Sequence, residues 1–587
     1  MFAPWTLPLA FVLSACATQT VLNHNGPDTL KLITPELSDW IDSQLEGHRA
    51  GLTLGIVRIG GEYDQSEFEF GAWGNKTEHG DKADPHTLFN IGSCSKAFLG
   101  ASIGLLIDDF AAGRNVTALP DGVARLTWDT KMKGLFPDDW QLADPLATSE
   151  ATIKDLLTHV TGLPRHDNMY APSESPLDIV RKLRHLRPTR ELRQQYHYNN
   201  AMYITGSHIV ETLSGMSYED YVASRIFGPL NMDVTTFFPS RADPTHLSHC
   251  WTEGGRRVPF PFDDQGAKLI AGAGGVISSV TDMTKWLEML LREGLGPSAN
   301  VTVIPQDIFE DLTTAYVVIN GRGSVTRSIQ GYGLGWTRFS YRGHDVLQHA
   351  GNLRAFNAYV VVVPSLGLGA VNFVNAEDLD WLNDAVVLRV IDKLLGPETE
   401  TSARLLTSSA SNPVWSRPAT DGDGNSAHPL SKFAGTYENL GYGRIALCAP
   451  ASESTYCSEV RHTFDAVDSA NTSSKRSEYQ LVAALKRART THAHMAPSPI
   501  LRPEWIHHRN MTFALFMTEL FTEGYGADTR PFEFPVTERI PILVEFAAAS
   551  DRILGFGYFD YNDGLVLRKG TAKQRAYTWF DRIDGDS

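Results

Sequence analysis

Between residues 397 and 429 the chain is rich in Ser, Thr, Pro, Gly and Asp and has little hydrophobic periodicity. Such a stretch buries too little apolar surface to hold a core of its own, so residues 399–429 read as a linker. It divides the 587 residues into two unlike pieces, each of which must fold around its own core. At roughly 100–200 residues per domain the length accommodates both. Hydrophobic residues make up 42% of the chain, enough for two packed interiors and too many for a disordered polymer.

The longer piece, residues 30–398, carries strand signals at both ends and helical signals between them. Thr34 suits an N-cap, and Pro35 the first position of a helix reaching Glu46. Residues 52–74 alternate around Gly60-Gly61 and predict a β-hairpin. A helix over 93–108, a long insertion over 114–142 and a helix over 280–291 with Ser279 as its N-cap follow. Two strands, over 355–363 and 369–375, precede a last helix over about 381–395. This order predicts one α+β domain, an antiparallel sheet completed by the two termini and flanked by helices. The shorter piece, residues 430–587, has short alternating stretches between Gly and Asn turns. They predict a small antiparallel β-barrel or sandwich.

Residues 7–15 are apolar and end in Ala15-Cys16-Ala17, which reads as a secretory signal over residues 1–17 and a secreted protein. The alternative reading takes Leu13-Ser14-Ala15-Cys16 as a bacterial lipobox, with the chain anchored at Cys16. Cys448 and Cys457 flank a polar, turn-rich segment and are candidates for a disulfide that staples a hairpin. Cys94 and Cys250 read as buried small hydrophobes. Asn75, Asn115, Asn300, Asn471 and Asn510 head N-x-[ST] sequons, which suit a secreted glycoprotein. No Cys or His cluster has zinc-site spacing, so no metal is expected. A net charge of −16 repels phosphate and argues against a nucleic-acid partner. No apolar run reaches the roughly 18 residues that span a bilayer.

The chemistry centres on Phe89-Asn90-Ile91-Gly92-Ser93-Cys94-Ser95-Lys96. Ser93 and Lys96, three apart at a helix start, project from one face. A serine hydroxyl is a poor nucleophile until a neighbour takes its proton, and a partly desolvated lysine can do so. The helix N-terminus adds free N–H groups where negative charge develops. S-x-x-K alone is a weak signal, and its bland counterpart is an N-cap serine with a solvated lysine. Tyr198-Asn199-Asn200 adds a Y-x-N, and His349-Ala350-Gly351 an H-x-G ahead of the 355–363 strand. Each also occurs once elsewhere, as Tyr437-Glu438-Asn439 and His24-Asn25-Gly26, but only the first set runs in this order within one domain.

In that order the motifs resemble the serine β-lactamase and penicillin-binding-protein superfamily. The branch is that of class C β-lactamases, D-alanyl-D-alanine carboxypeptidases, D-aminopeptidases and family VIII esterases. Residues 153–164 are similar to its helix-and-turn segment before Y-x-N, Ala271-Gly272-Ala273-Gly274-Gly275-Val276 to its Gly-rich turn and Tyr332-Gly333-Leu334-Gly335-Trp336 to its entry to the H-x-G strand, and the resemblance covers about residues 35–395. It implies that Ser93 forms an acyl-enzyme while Lys96 and Tyr198, the tyrosine at a lowered pKa, shuttle its proton. It also implies that the N–H groups of Ser93 and Asn352 form the oxyanion hole, Asn200 orients the substrate, and His349 and Gly351 line the pocket. No cofactor is required. His349 stands where many relatives carry lysine, and a neutral imidazole binds a β-lactam carboxylate less well. The residues after the linker resemble the lipocalin-like barrels appended to D-aminopeptidases. The expected function is a secreted serine hydrolase cleaving an ester or amide in a small-molecule or short-peptide substrate. Alternatives are an acyltransferase, a β-lactamase or a non-catalytic binder, with substrate choice expected in loops such as residues 114–142.

Overall fold

The computed structural model describes residues 30–60, 65–171, 173–297, 301–396, 428–470, 480–482, 500–509, 511–535, 542–559 and 569–583. The leader, nearly all of the linker, and Asn300, Asn471 and Asn510 lie outside the described residues. Asn115 is exposed, while Asn75 is half-buried and accepts a 3.0 Å hydrogen bond from Lys82. No described helix is long and apolar enough to cross a membrane.

The first domain is built on an eight-stranded antiparallel sheet. Its order is Gln65–Gly74, Gly51–Gly60, Leu368–Val374, Phe356–Val363, His344–Leu353, Thr337–Tyr341, Gln330–Tyr332 and Val317–Asn320. The N-terminal hairpin thus docks on the C-terminal strands, with Leu52 opposite Val374. Phe356–Val363 and Leu368–Val374 are buried along their whole length, which is why they read as continuous Val- and Ala-rich runs instead of alternating ones. One face packs against Pro35–Leu45 and Asp380–Leu395, the other against Val280–Leu291 and the helical part of the domain. Thr34 and Ser279 cap their helices by accepting the N–H groups of Leu37 and Asp282.

Three local expectations are corrected. Residues 92–95 form a 3₁₀ turn and the α-helix begins only at Lys96, running to Ala111. The Gly-rich segment at 271–276 is the end of a helix, Asp264–Gly274, because Gly272 permits close packing on Tyr203 and Ser207. The 114–142 insertion is no free loop. Leu126, Trp128, Met132, Leu135, Phe136 and Trp140 are buried in the main core, and the Trp128 indole donates to Asp311 at 2.8 Å.

After the linker lies a second antiparallel sheet, from Gly443–Leu447 through Gly435–Asn439, Thr578–Ile583, Arg552–Phe559, Ile542–Ala549, Thr512–Phe521 and Ile500–Arg509 to Gln480–Val482. Among the described residues, a bridge between Cys448, just past one end strand, and Val482 in the other links the two ends of the sheet. Cys448 and Cys457 are disulfide-bonded, but the bond leads from a strand into a helix, Thr455–Ala470, and staples no hairpin. Cys457, Val460, Phe464 and Val467 form that helix's buried stripe. The two domains share apolar surface, since Phe521, Phe532 and Phe534 belong to the same buried cluster as the first domain's core.

Candidate active site

Ser93 lies where a strand loses its neighbour. Thr337–Tyr341 pairs with His344–Leu353 only as far as Gln348, so residues 349–353 have a strand on one side only. The 3₁₀ turn Gly92–Ser95 fills the other side. Two glycines permit the approach. A Cβ on Gly351 would lie 2.0 Å from the Ile91 carbonyl oxygen and 3.1 Å from the Ser93 nitrogen. One on Gly92, at φ +49°, would lie 2.8 Å from the Asn352 nitrogen. The backbone nitrogens of Ser93 and Asn352 thereby both border this turn-to-strand contact. Asn90 and Ser95 stitch the turn down. Asn90 accepts the Gly92 N–H at 3.0 Å and donates to the Gly274 and Val276 carbonyls, while Ser95 accepts the Val276 N–H at 3.1 Å.

Lys96 is fully buried, and its Nζ lies 2.6 Å from the Ala273 carbonyl, 2.8 Å from Asn200 Oδ1 and 3.1 Å from Ser93 Oγ. Burial, then the charge of Arg165, pushes its pKa well below the ordinary lysine value. A neutral amine has two N–H groups and one lone pair. The carbonyl and the amide oxygen can only accept, so they take both hydrogens and the lone pair is left for the Ser93 hydroxyl. The Tyr198 hydroxyl donates to the same Ser93 oxygen at 2.6 Å. Ser93, Tyr198 and Asn200 are half-buried, so a substrate can reach them.

The expected low pKa of Tyr198 is not found. Burial raises it, and this outweighs the hydrogen bond with Ser93 that lowers it. The neighbouring lysine, itself pushed toward neutrality, offers little charge to stabilise a phenolate. Tyr198 is therefore a proton donor at rest. Asn200 Nδ2 donates to Asp167, at 3.2 Å to one carboxylate oxygen, and Arg165 pairs with Asp167 at 2.9 Å. The Arg165 guanidinium lies 5.3 Å from the Tyr198 ring centre, and the Tyr170 hydroxyl donates to Asp167 at 2.9 Å.

His349 is buried instead of facing the pocket. Its Nδ1–H donates to the Ala350 carbonyl at 2.6 Å and its Nε2 accepts from the Tyr332 hydroxyl at 3.0 Å. Both nitrogens are engaged, and burial lowers its pKa to about 3, so it presents no cation to the cleft. His159, at φ +61°, packs 4.5 Å from the Tyr198 ring centre and accepts the Asn199 N–H, which seats the Y-x-N segment from behind. Cys94 is buried, with burial raising its thiol pKa out of nucleophile range, and Cys250 is pushed up to about 12.

The structure thus gathers Ser93, Lys96, Tyr198, Asn200, Gly351 and Asn352 at one cleft, with His349 beneath it. The motif reading missed Arg165, Asp167, Tyr170 and Asn90. Asn90 stands three residues before Ser93, and Arg165 directly follows the 153–164 segment, but neither position carries a spacing signal. Two cavities of about 390 and 460 Å³ lie elsewhere and are lined by none of these residues.

A family model described as Beta-lactamase matches residues 37–392. Unguisins hydrolase ungD of Aspergillus violaceofuscus is 29% identical over 413 residues, covering 63% of this chain and 70% of its own length. Unguisins hydrolase ungD' of Aspergillus campestris is 30% identical over 320 residues, covering 53% and 57%. The solved octameric penicillin-binding protein homologue from Pyrococcus abyssi superposes with a TM-score of 0.50 at 17% identity. It covers 90% of this chain and 98% of its own, a likeness of fold alone.

Proposed function

The chain belongs to the beta-lactamase family of serine hydrolases, and from that premise we propose that it is a secreted hydrolase that cleaves an ester or amide through an acyl-serine intermediate on Ser93. The observation that carries this reading is the set of partners around Lys96. Two obligate acceptors hold its hydrogens, its lone pair is left for Ser93, and burial favours the neutral form. As the Ser93 oxygen bonds to the acyl carbon, its proton passes to Lys96. The carbonyl oxygen, now anionic, is held by the Ser93 and Asn352 N–H groups, where one lost donor typically costs ~10²–10³ in rate. Tyr198 gives its proton to the departing alcohol or amine, the bond to the acyl carbon breaks, and Lys96 returns a proton to the tyrosine. Water then attacks the ester, its proton leaves by the same groups, and Ser93 is regenerated.

The engaged, neutral His349 argues for esters or D-amino-acid peptides over β-lactams, because a carboxylate finds no lysine at that strand. The hydrolase names of the two fungal relatives favour water as acyl acceptor. The Cys448–Cys457 disulfide supports an oxidising compartment. The test is turnover of p-nitrophenyl esters, D-aminoacyl p-nitroanilides and a chromogenic cephalosporin by the purified protein. Ester or D-anilide hydrolysis faster than cephalosporin opening is expected. Cephalosporin as the preferred substrate contradicts the substrate assignment.

A further inference from the structure

Residues 165–167 point alternately to the two domains. Arg165 lies over the Tyr198 ring and Asp167 accepts from Asn200, while His166 between them, at φ +49°, turns the other way. Its buried ring reaches the second domain, where Nδ1 lies 2.7 Å from the Tyr442 hydroxyl. Nε2 meets the Arg187 carbonyl at 3.2 Å, an obligate acceptor, so Nε2 carries the hydrogen and Nδ1 accepts from Tyr442. The Arg187 guanidinium in turn donates to the carbonyl of Lys573, again in the second domain.

The opposite wall has a matching tie. Arg354 and Ala355 form the two-residue turn between the Asn352-bearing strand and its partner, with Leu353 opposite Phe356. Both are left-handed, at φ +33° and +58°, in a turn geometry that favours Asn-Gly. Non-glycine residues hold such angles only where the surroundings enforce them. Here the Arg354 guanidinium pairs with Glu519, whose side chain is 1% exposed inside the second domain.

We propose that the second domain is a positioning element for acyl transfer, holding both walls of the cleft through the Tyr442–His166 and Glu519–Arg354 pairs. Tyr442 and Glu519 act through the loops they anchor and touch no reacting atom. This rests on the acyl-serine reading of Ser93.

The test is the second-order rate at which a fluorophosphonate phosphonylates Ser93 in the full-length protein, measured across pH. Tyr442→Phe and Glu519→Gln are each expected to slow it by about 10-fold, since a 1 Å misplacement can cost more than that. Their pH signatures differ. Lys96 is faced by Cys94 on the turn that precedes its helix, by Arg165 and Asp167, by Tyr198 and Tyr203, by His159 and by His349. Of the Arg165 and Asp167 charges, Arg165 weighs more and lowers the Lys96 pKa. Releasing its loop in Tyr442→Phe therefore moves the acid limb to higher pH, whereas Glu519→Gln leaves the limb in place. Glu78→Gln is the control, because Glu78 accepts the Ala527 N–H at 2.7 Å across the same domain boundary but has no bond to either wall. Should Tyr442→Phe melt early, His166→Gln cuts the same hydrogen bond from the other side. Wild-type labelling rates and limbs in the two folded variants overturn the proposal, as does equal slowing in Glu78→Gln. A wild type that takes no label on Ser93 overturns the acyl-serine reading itself.

Discussion

The two walls of the Ser93 cleft are held by different kinds of structure. On the strand side, Gly351 and Asn352 belong to the central sheet and meet the nucleophile turn backbone to backbone, with no room for a Cβ at Gly351. On the loop side, Arg165 and Asp167 have no strand to lean on, and the residue between them is fixed by a tyrosine 276 positions away. The strand wall is held along its length by a ladder of hydrogen bonds, and only its Arg354-Ala355 turn leans on the second domain. The loop wall can shift with the loss of one or two side-chain contacts. One domain thus carries Ser93, Lys96 and Tyr198, while the Arg165 charge beside Lys96 sits on a loop tied to the other.

The largest expected effect falls on the strand wall. Gly351→Ala puts a methyl group 2.0 Å from the Ile91 carbonyl, so the turn must leave the strand and the Ser93 and Asn352 N–H groups separate. Fluorophosphonate labelling should fall by ~10² or more. Gly60→Ala, with nothing within 4 Å of the new Cβ, should label normally. Equal labelling by both variants would break the distinction between the walls. The Tyr442→Phe and Glu519→Gln variants come next, at about tenfold.

The last effect is on stability instead of labelling rate, and it falls on the loop wall. Burial lowers the His166 pKa from its ordinary value of about 6.5 to about 4. Between those values the unfolded chain binds the proton and the folded one does not. The His166 contribution is therefore complete above pH 6.5 and is lost as pH falls toward 4, amounting to about 3 kcal/mol. Urea midpoints of wild type and His166→Asn at pH 7 and pH 4.5 check this. A shallower decline is expected in the variant, and parallel declines would remove His166 from the acid response.

What was legible in the sequence follows the same division. The S-x-x-K turn, the Y-x-N, the H-x-G strand and the caps at Thr34 and Ser279 are local patterns, and local patterns report backbone geometry. The protonation of Tyr198 was not legible, because it depends on burial by distant packing and on a lysine that the fold itself neutralises. His349 was legible as a strand residue but not as a buried one, since its partner Tyr332 lies on another strand. The Thr455–Ala470 helix did carry a signal. Cys457, Val460, Phe464 and Val467 recur at helical spacing, and the strand-like segments around them masked it. The Arg165–Asp167 loop had no comparable sign, because what makes it part of the site is a contact between domains.

The central claim is that Ser93 is an activated nucleophile in the resting protein. Intact-mass spectrometry after exposure to a fluorophosphonate, on wild type and Ser93→Ala side by side, tests it most directly. A single adduct on the wild type and none on the variant is expected. A folded wild type that gains no mass, or a variant that gains the same adduct, would contradict it.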